Sequence, residues 1–69
     1  MDDENAARLR YVYDGLTIEQ RHHLKVIVED KAEVLSVRLC KTLVVLSLVR
    51  QIGEKFIATE DGRYVANLF

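Results

Sequence analysis

The sequence predicts one small α+β domain, mainly helical, and three observations predict it. Helical spacing and capping signatures fill the chain to about Leu46. A glycine at residue 53 divides two short apolar runs of strand character. A threonine-led acidic stretch then restarts a helical pattern at Thr59. At 69 residues there is room for one domain with a thin core, because so short a chain buries only about 60 % of the surface it exposes unfolded.

Residues 1–5, acidic and without apolar periodicity, read as lying outside the ordered fold. Ala6 to Tyr13 follows as a short helix, with Leu9, Val12 and Tyr13 on one face, ended by Asp14-Gly15. Thr17-Ile18-Glu19-Gln20 is a capping box: the threonine hydroxyl takes the N3 amide, and the Gln20 side chain reaches back to the cap. The helix it opens runs to about Glu29, with Leu24, Ile27 and Val28 inward and Leu16 just ahead of it. Arg21, His22, Lys25 and Glu29 face solvent in this reading.

A second capping box, Asp30-Lys31-Ala32-Glu33, predicts a very short helix from about Lys31 to Leu35. From Ser36 to Ser47 the helical wheel gathers Leu39, Leu43 and Leu46 on one side, flanked by Val37, Cys40 and Val44. Arg38, Lys41, Thr42 and Val45 fall opposite. Running the same helix backwards would put Val34 on that polar side, so a break at Ser36, a good N-cap residue, is expected. A helix from about Val37 to Leu46 results.

Two readings compete for the last third. In one, Leu48–Ile52 and Lys55–Ala58 pair across Gly53-Glu54 in a type II′ turn, and Thr59 caps a final helix with Glu60 and Asp61 in its first turn. In the other, Asp61-Gly62 is the hairpin turn, flanked by Phe56–Thr59 and Arg63–Ala66. The first is preferred.

Composition excludes several classes. The one cysteine, Cys40, forbids an internal disulfide and a thiolate zinc cluster, and its apolar setting makes it a buried core thiol. No uncharged stretch approaches the ~20 residues of a bilayer span, and the acidic start has neither region of a signal peptide, so a cytoplasmic protein without membrane contact is expected. Ser36, Ser47 and Cys40 stand in no nucleophile motif, and no glycine-rich loop can cradle phosphate. The chain thus reads as no enzyme, with no cofactor, metal or small-molecule substrate evident. His22 and His23, adjacent on a helix, point about 100° apart and cannot share an ion. Glu19 and His23 do share a face, but two ligands without a third make a surface pair rather than a metal site. Net charge is −1, though Glu33 to Lys55 holds four basic residues against two acids.

The residues themselves carry a resemblance. Leu43-Val44-Val45-Leu46-Ser47-Leu48-Val49-Arg50 resembles the L-x-x-L-G-L-V stretch that leaves the recognition helix and enters the wing in small prokaryotic transcriptional regulators. Ile57-Ala58-Thr59-Glu60-Asp61-Gly62-Arg63-Tyr64-Val65-Ala66 resembles their (apolar)-x-T-x-x-G-x-x-(apolar) passage into the last helix. The family is that of winged helix-turn-helix DNA-binding domains, and the resemblance spans roughly residues 16–68. It implies a winged helix-turn-helix with a short β-hairpin wing and flanking N- and C-terminal helices. It also implies a recognition helix in the major groove, with Arg38, Lys41 and Thr42 outward and Ser36 near the groove floor or a phosphate. Arg50 and Lys55 on the hairpin would approach the backbone, and Leu9, Tyr13, Tyr64, Val65 and Leu68 would form a homodimer interface. The chain departs from the pattern at Ser47, where glycine is usual, at Glu54 on the wing tip, at Val45 amid the outward face, and in the first helix of the helix-turn-helix, barely a turn and a half long.

The expectation is therefore a dimeric, sequence-specific regulator that binds double-stranded DNA. The alternative is a protein–protein interaction module on the same scaffold, using Val34, Val45 and Val49.

Overall fold

The computed structural model describes residues 3–31 and 33–69. In chain order these form α1 (Asp3–Gly15), α2 (Ile18–Glu29), α3 (Val37–Val45), β1 (Val49–Ile52), β2 (Lys55–Ala58) and α4 (Glu60–Ala66). The architecture is α+β and mainly helical, as the sequence predicts.

α1 starts three residues earlier than its apolar spacing suggests. Asp3 and Glu4 occupy its first turn, where the helix dipole favours acids, so residues 3–5 belong to the fold. The rest of the expected irregular start, Met1 and Asp2, lies outside the described residues. α2 has its predicted bounds. Both arms of its capping box form, with the Gln20 amide donating to Thr17 Oγ1 at 3.1 Å and the Thr17 amide to Gln20 Oε1 at 2.8 Å.

The short helix expected over Lys31–Leu35 does not form at residues 31 and 33–35; Ala32 lies outside the described residues. Asp30 is not an N-cap. It sits in the left-handed region at φ 53°, closing α2 with its own amide on the Ile27 carbonyl and the Lys31 amide on the Val26 carbonyl. That 5→2 and 6→1 pair is a Schellman end. It uses the amide that Glu33 was expected to cap, and Glu33 instead meets His22 at 2.6 Å.

α3 opens on Ser36, whose hydroxyl accepts from the Leu39 amide at 3.4 Å, and the break predicted there is present. It closes in a second Schellman end. Ser47 takes φ 62°, its amide donates to Val44 and the Leu48 amide donates to Leu43, which stacks two fully buried leucines across the turn. The turn is thus made in full by a serine in the conformation glycine prefers.

β1 and β2 pair antiparallel in the register Val49↔Ala58, Arg50↔Ile57, Gln51↔Phe56, Ile52↔Lys55. Gly53 has φ 62° and Glu54 has no positive φ, the pattern of a II′ turn rather than I′. The hairpin turn at Asp61-Gly62 is therefore excluded; both residues lie in α4.

Gly62 is needed for contact, not for a turn. A Cβ there would lie 1.9 Å from the Leu48 carbonyl oxygen. Thr59 fastens the same junction. Its amide donates to the Leu48 carbonyl at 3.0 Å, and its hydroxyl donates to the Ser47 carbonyl at 2.8 Å while accepting the Gly62 amide at 3.1 Å. Above it lies the core of Leu9, Leu16, Leu24, Leu43, Leu48, Val49, Val65 and Ala66, to which every helix and β1 contribute. Val26, which the sequence left off the inward face, is buried as well.

Two substitutions test this junction by opposite signs. Gly62→Ala would stabilise a free helix by about 1 kcal/mol. Here it should lower the unfolding free energy by about 2 kcal/mol or more in a urea titration, because backbone must move. Ser47→Gly should raise it by about 0.5–1 kcal/mol, since relief of the left-handed strain exceeds the added chain entropy.

Candidate functional site

The uncovered side of α3 is a stripe rather than a cavity. Arg38, Lys41 and Val45 recur at helical spacing, all exposed, with Val45 82 % accessible; Val34 and Val37 extend the apolar part toward the N-terminus. Thr42 leaves this set. It is half-buried, its hydroxyl donates to the Arg38 carbonyl at 3.1 Å, and it lines a groove with Tyr11, Leu16 and Leu46. Ser36 is engaged on both sides, capping α3 with its hydroxyl and donating its amide to His23 Nε2 at 3.1 Å. Arg50 and Lys55 are exposed on the outer face of the hairpin.

Electrostatics divide the chain at Ser36. Of the ten Lys and Arg, the five before it are engaged. Arg8 meets Asp61 at 3.0 Å, Arg10 meets Asp14 at 3.5 Å, and Lys25 and Lys31 share Glu29 at 3.7 and 2.8 Å. Arg21, expected in solvent, is half-buried; it donates to the Tyr13 carbonyl at 3.1 Å and lies 4.4 Å over that ring. The five after Ser36 are Arg38, Lys41, Arg50, Lys55 and Arg63. None of their side chains has an ion pair or hydrogen bond among the described residues. Arg63 was missed by sequence reasoning, for only the fold brings it beside Arg50. The hydrogen bond from Lys31 holds the Glu29 carboxyl below its ordinary pKa, and the Lys31 ammonium is raised by the same contact.

The histidines serve the α2–α3 connection. His23 Nδ1 faces the Glu19 backbone carbonyl at 2.8 Å and its Nε2 takes the Ser36 amide, so it bridges two backbone groups instead of pairing with the Glu19 carboxylate. No group of three His, Cys, Asp or Glu among the described residues is arranged to hold a metal. No helix among them is long and apolar enough to cross a membrane.

The expected dimer surface needs correction. Leu9 and Val65 are fully buried in the chain's own core, where α1 and α4 pack together. Tyr13, Tyr64 and Leu68 are half-buried, Tyr13 between Arg21 and Phe69. These five do not form an open face. Val49, assigned to the alternative protein contact, is only 1 % exposed and also belongs to the core.

Set against family models, curated proteins and solved structures, the chain matches none of them.

Burial of Cys40 pushes its thiol above the ordinary value. The unfolded chain therefore ionises first, at about pH 8.5, while the folded chain stays protonated. Its contribution to stability is complete below that pH and is lost as pH rises beyond it. Urea midpoints measured from pH 7 to 10 should fall in the wild type, and Cys40→Ala should flatten that fall. Alkylation of the native thiol at pH 8 should be at least about tenfold slower than in urea.

Proposed function

We propose that the chain is a DNA-binding regulator of winged-helix form that lays α3 in the major groove. The observation that carries this reading is the division of charge: among the described residues every Lys or Arg without a partner lies on α3, the hairpin or α4, while those of α1 and α2 and the Lys31 that follows them are engaged. In this reading α2 is the first helix of the helix-turn-helix and α3 the second. A helix about 10–12 Å across with its side chains fits a groove about 12 Å wide, and the nine residues of α3 extend about 13 Å along it. Arg38 and Lys41 contact base edges or phosphates, Val45 offers an apolar contact to thymine methyl groups, and Arg50 and Lys55 reach the backbone. Two copies would read half-sites one helical turn apart.

Fluorescence anisotropy against a random duplex tests the proposal. Four phosphate contacts give a salt slope near −3.6, so affinity should weaken by about 100-fold between 50 and 200 mM salt. Arg38→Ala with Lys41→Ala should reduce that slope by about 1–2 with helicity unchanged. A folded sample that fails to bind at low salt rejects the reading.

A second reading, a protein-interaction module, is favoured by one observation: Val34, Val37 and Val45 are 98, 57 and 82 % exposed. Under it, Val45→Ser abolishes capture of a partner while duplex binding never appears.

A further inference from the structure

We infer that the outer face of the hairpin, with the first turns of α4, docks an acidic protein segment carrying apolar side chains. The register places Arg50 opposite Ile57 and Ile52 opposite Lys55. Because side chains alternate, these four share the face turned away from Val49 and Ala58. No element among the described residues covers it. Ile52 is 55 % and Ile57 41 % exposed. A groove of about 520 Å3 runs from this face to α4, bounded by Arg50, Ile52, Ile57, Arg63 and Glu60. Arg63 also borders the neighbouring groove beside Lys55. Among the described residues three cations without partners, Arg50, Lys55 and Arg63, therefore border the two grooves around these bare isoleucines, with Glu60 and Asp30 as the acids on the rims, an excess of one positive charge.

Charge and apolarity together select the occupant. A second copy docked on a two-fold axis would bring Arg50, Lys55 and Arg63 against themselves. A nucleic-acid backbone answers the cations but leaves both isoleucines against phosphate or water. An acidic segment with apolar side chains answers both, burying the isoleucines at its centre and pairing the cations at its rim. This surface does not depend on α3 binding DNA, although a duplex and an acidic segment would compete for Arg50 and Lys55.

The probe is a labelled peptide of about twelve residues alternating Glu and Leu, titrated at low salt into the full chain beside an all-Glu peptide of equal length. The alternating peptide should bind at least about tenfold more tightly. Ile52→Ser with Ile57→Ser should remove that advantage while circular dichroism stays native, and Arg63→Gln should weaken both peptides. Equal affinity for the two peptides, no binding, or an unchanged serine variant overturns the proposal. Sedimentation supplies the remaining arm: a dimer that the serine variant dissolves identifies a second copy as the occupant and overturns it too. So does a serine variant that loses duplex DNA while keeping the peptide.

Discussion

The rest of the fold depends on the contact between the first turn of α4 and the backbone at Leu48. α3 ends there, the hairpin begins and returns there, and α4 starts there. The carbonyls of Ser47 and Leu48 both point at Thr59, and Gly62 lets the helix approach until a single methyl group would overlap the Leu48 oxygen. Two hydrogen bonds of about 1 kcal/mol each are a small part of this. The larger part is geometric. The base pair Val49↔Ala58 is held between two fixed points, so the hairpin leaves the body in one direction relative to α3. Leu43 and Leu48, stacked across the Schellman turn, carry that constraint into the core.

The same geometry bears on why, among the described residues, the cations without partners all follow Ser36 in a chain of net charge −1. Screening limits exposed charges to about 8 Å at physiological salt, so local arrangement outweighs the total. Glu29 on α2, with Asp14 and Asp61, pairs four of the five cations of the N-terminal half, and Asp61 comes from α4 to do so. Arg63, two positions on and on another face of α4, lies beside the hairpin without a partner among the described residues. The separation of charge is thus a product of the fold, with the partner of Arg8 and the place of Arg63 beside Arg50 decided by how α4 sits.

What was legible in the sequence was local. The Thr17 box, the Ser36 break, the Gly53 turn and the Thr59 cap each rest on neighbours within four residues, and each forms. The second box at Asp30 has the same letters as the first. It fails because the end of α2 claims the Asp30 amide and backbone conformation before Glu33 can. Gly62 was read as part of the last helix, with a hairpin turn as the alternative, and neither reading held its use, a contact fourteen positions away. The site divides likewise. Exposure of Arg38 and Lys41 follows from periodicity and that of Arg50 and Lys55 was only implied by the resemblance, but Leu9, Val49 and Val65 looked available only because a one-dimensional face does not say which element covers it. Thr42 turned aside for a similar reason, its hydroxyl finding the Arg38 carbonyl one turn back.

Native-state hydrogen exchange followed residue by residue tests the central claim most directly, that the junction at Leu48, Thr59 and Gly62 is part of the global fold. The amides of Thr59, Gly62 and Leu48 should exchange only through complete unfolding, merging with Leu24 in the core of α2 as denaturant is added. If those three amides open by a separate low-energy route while Leu24 stays protected, α4 and the hairpin are an appendage, and the fixed geometry argued for α3 and its neighbours does not exist.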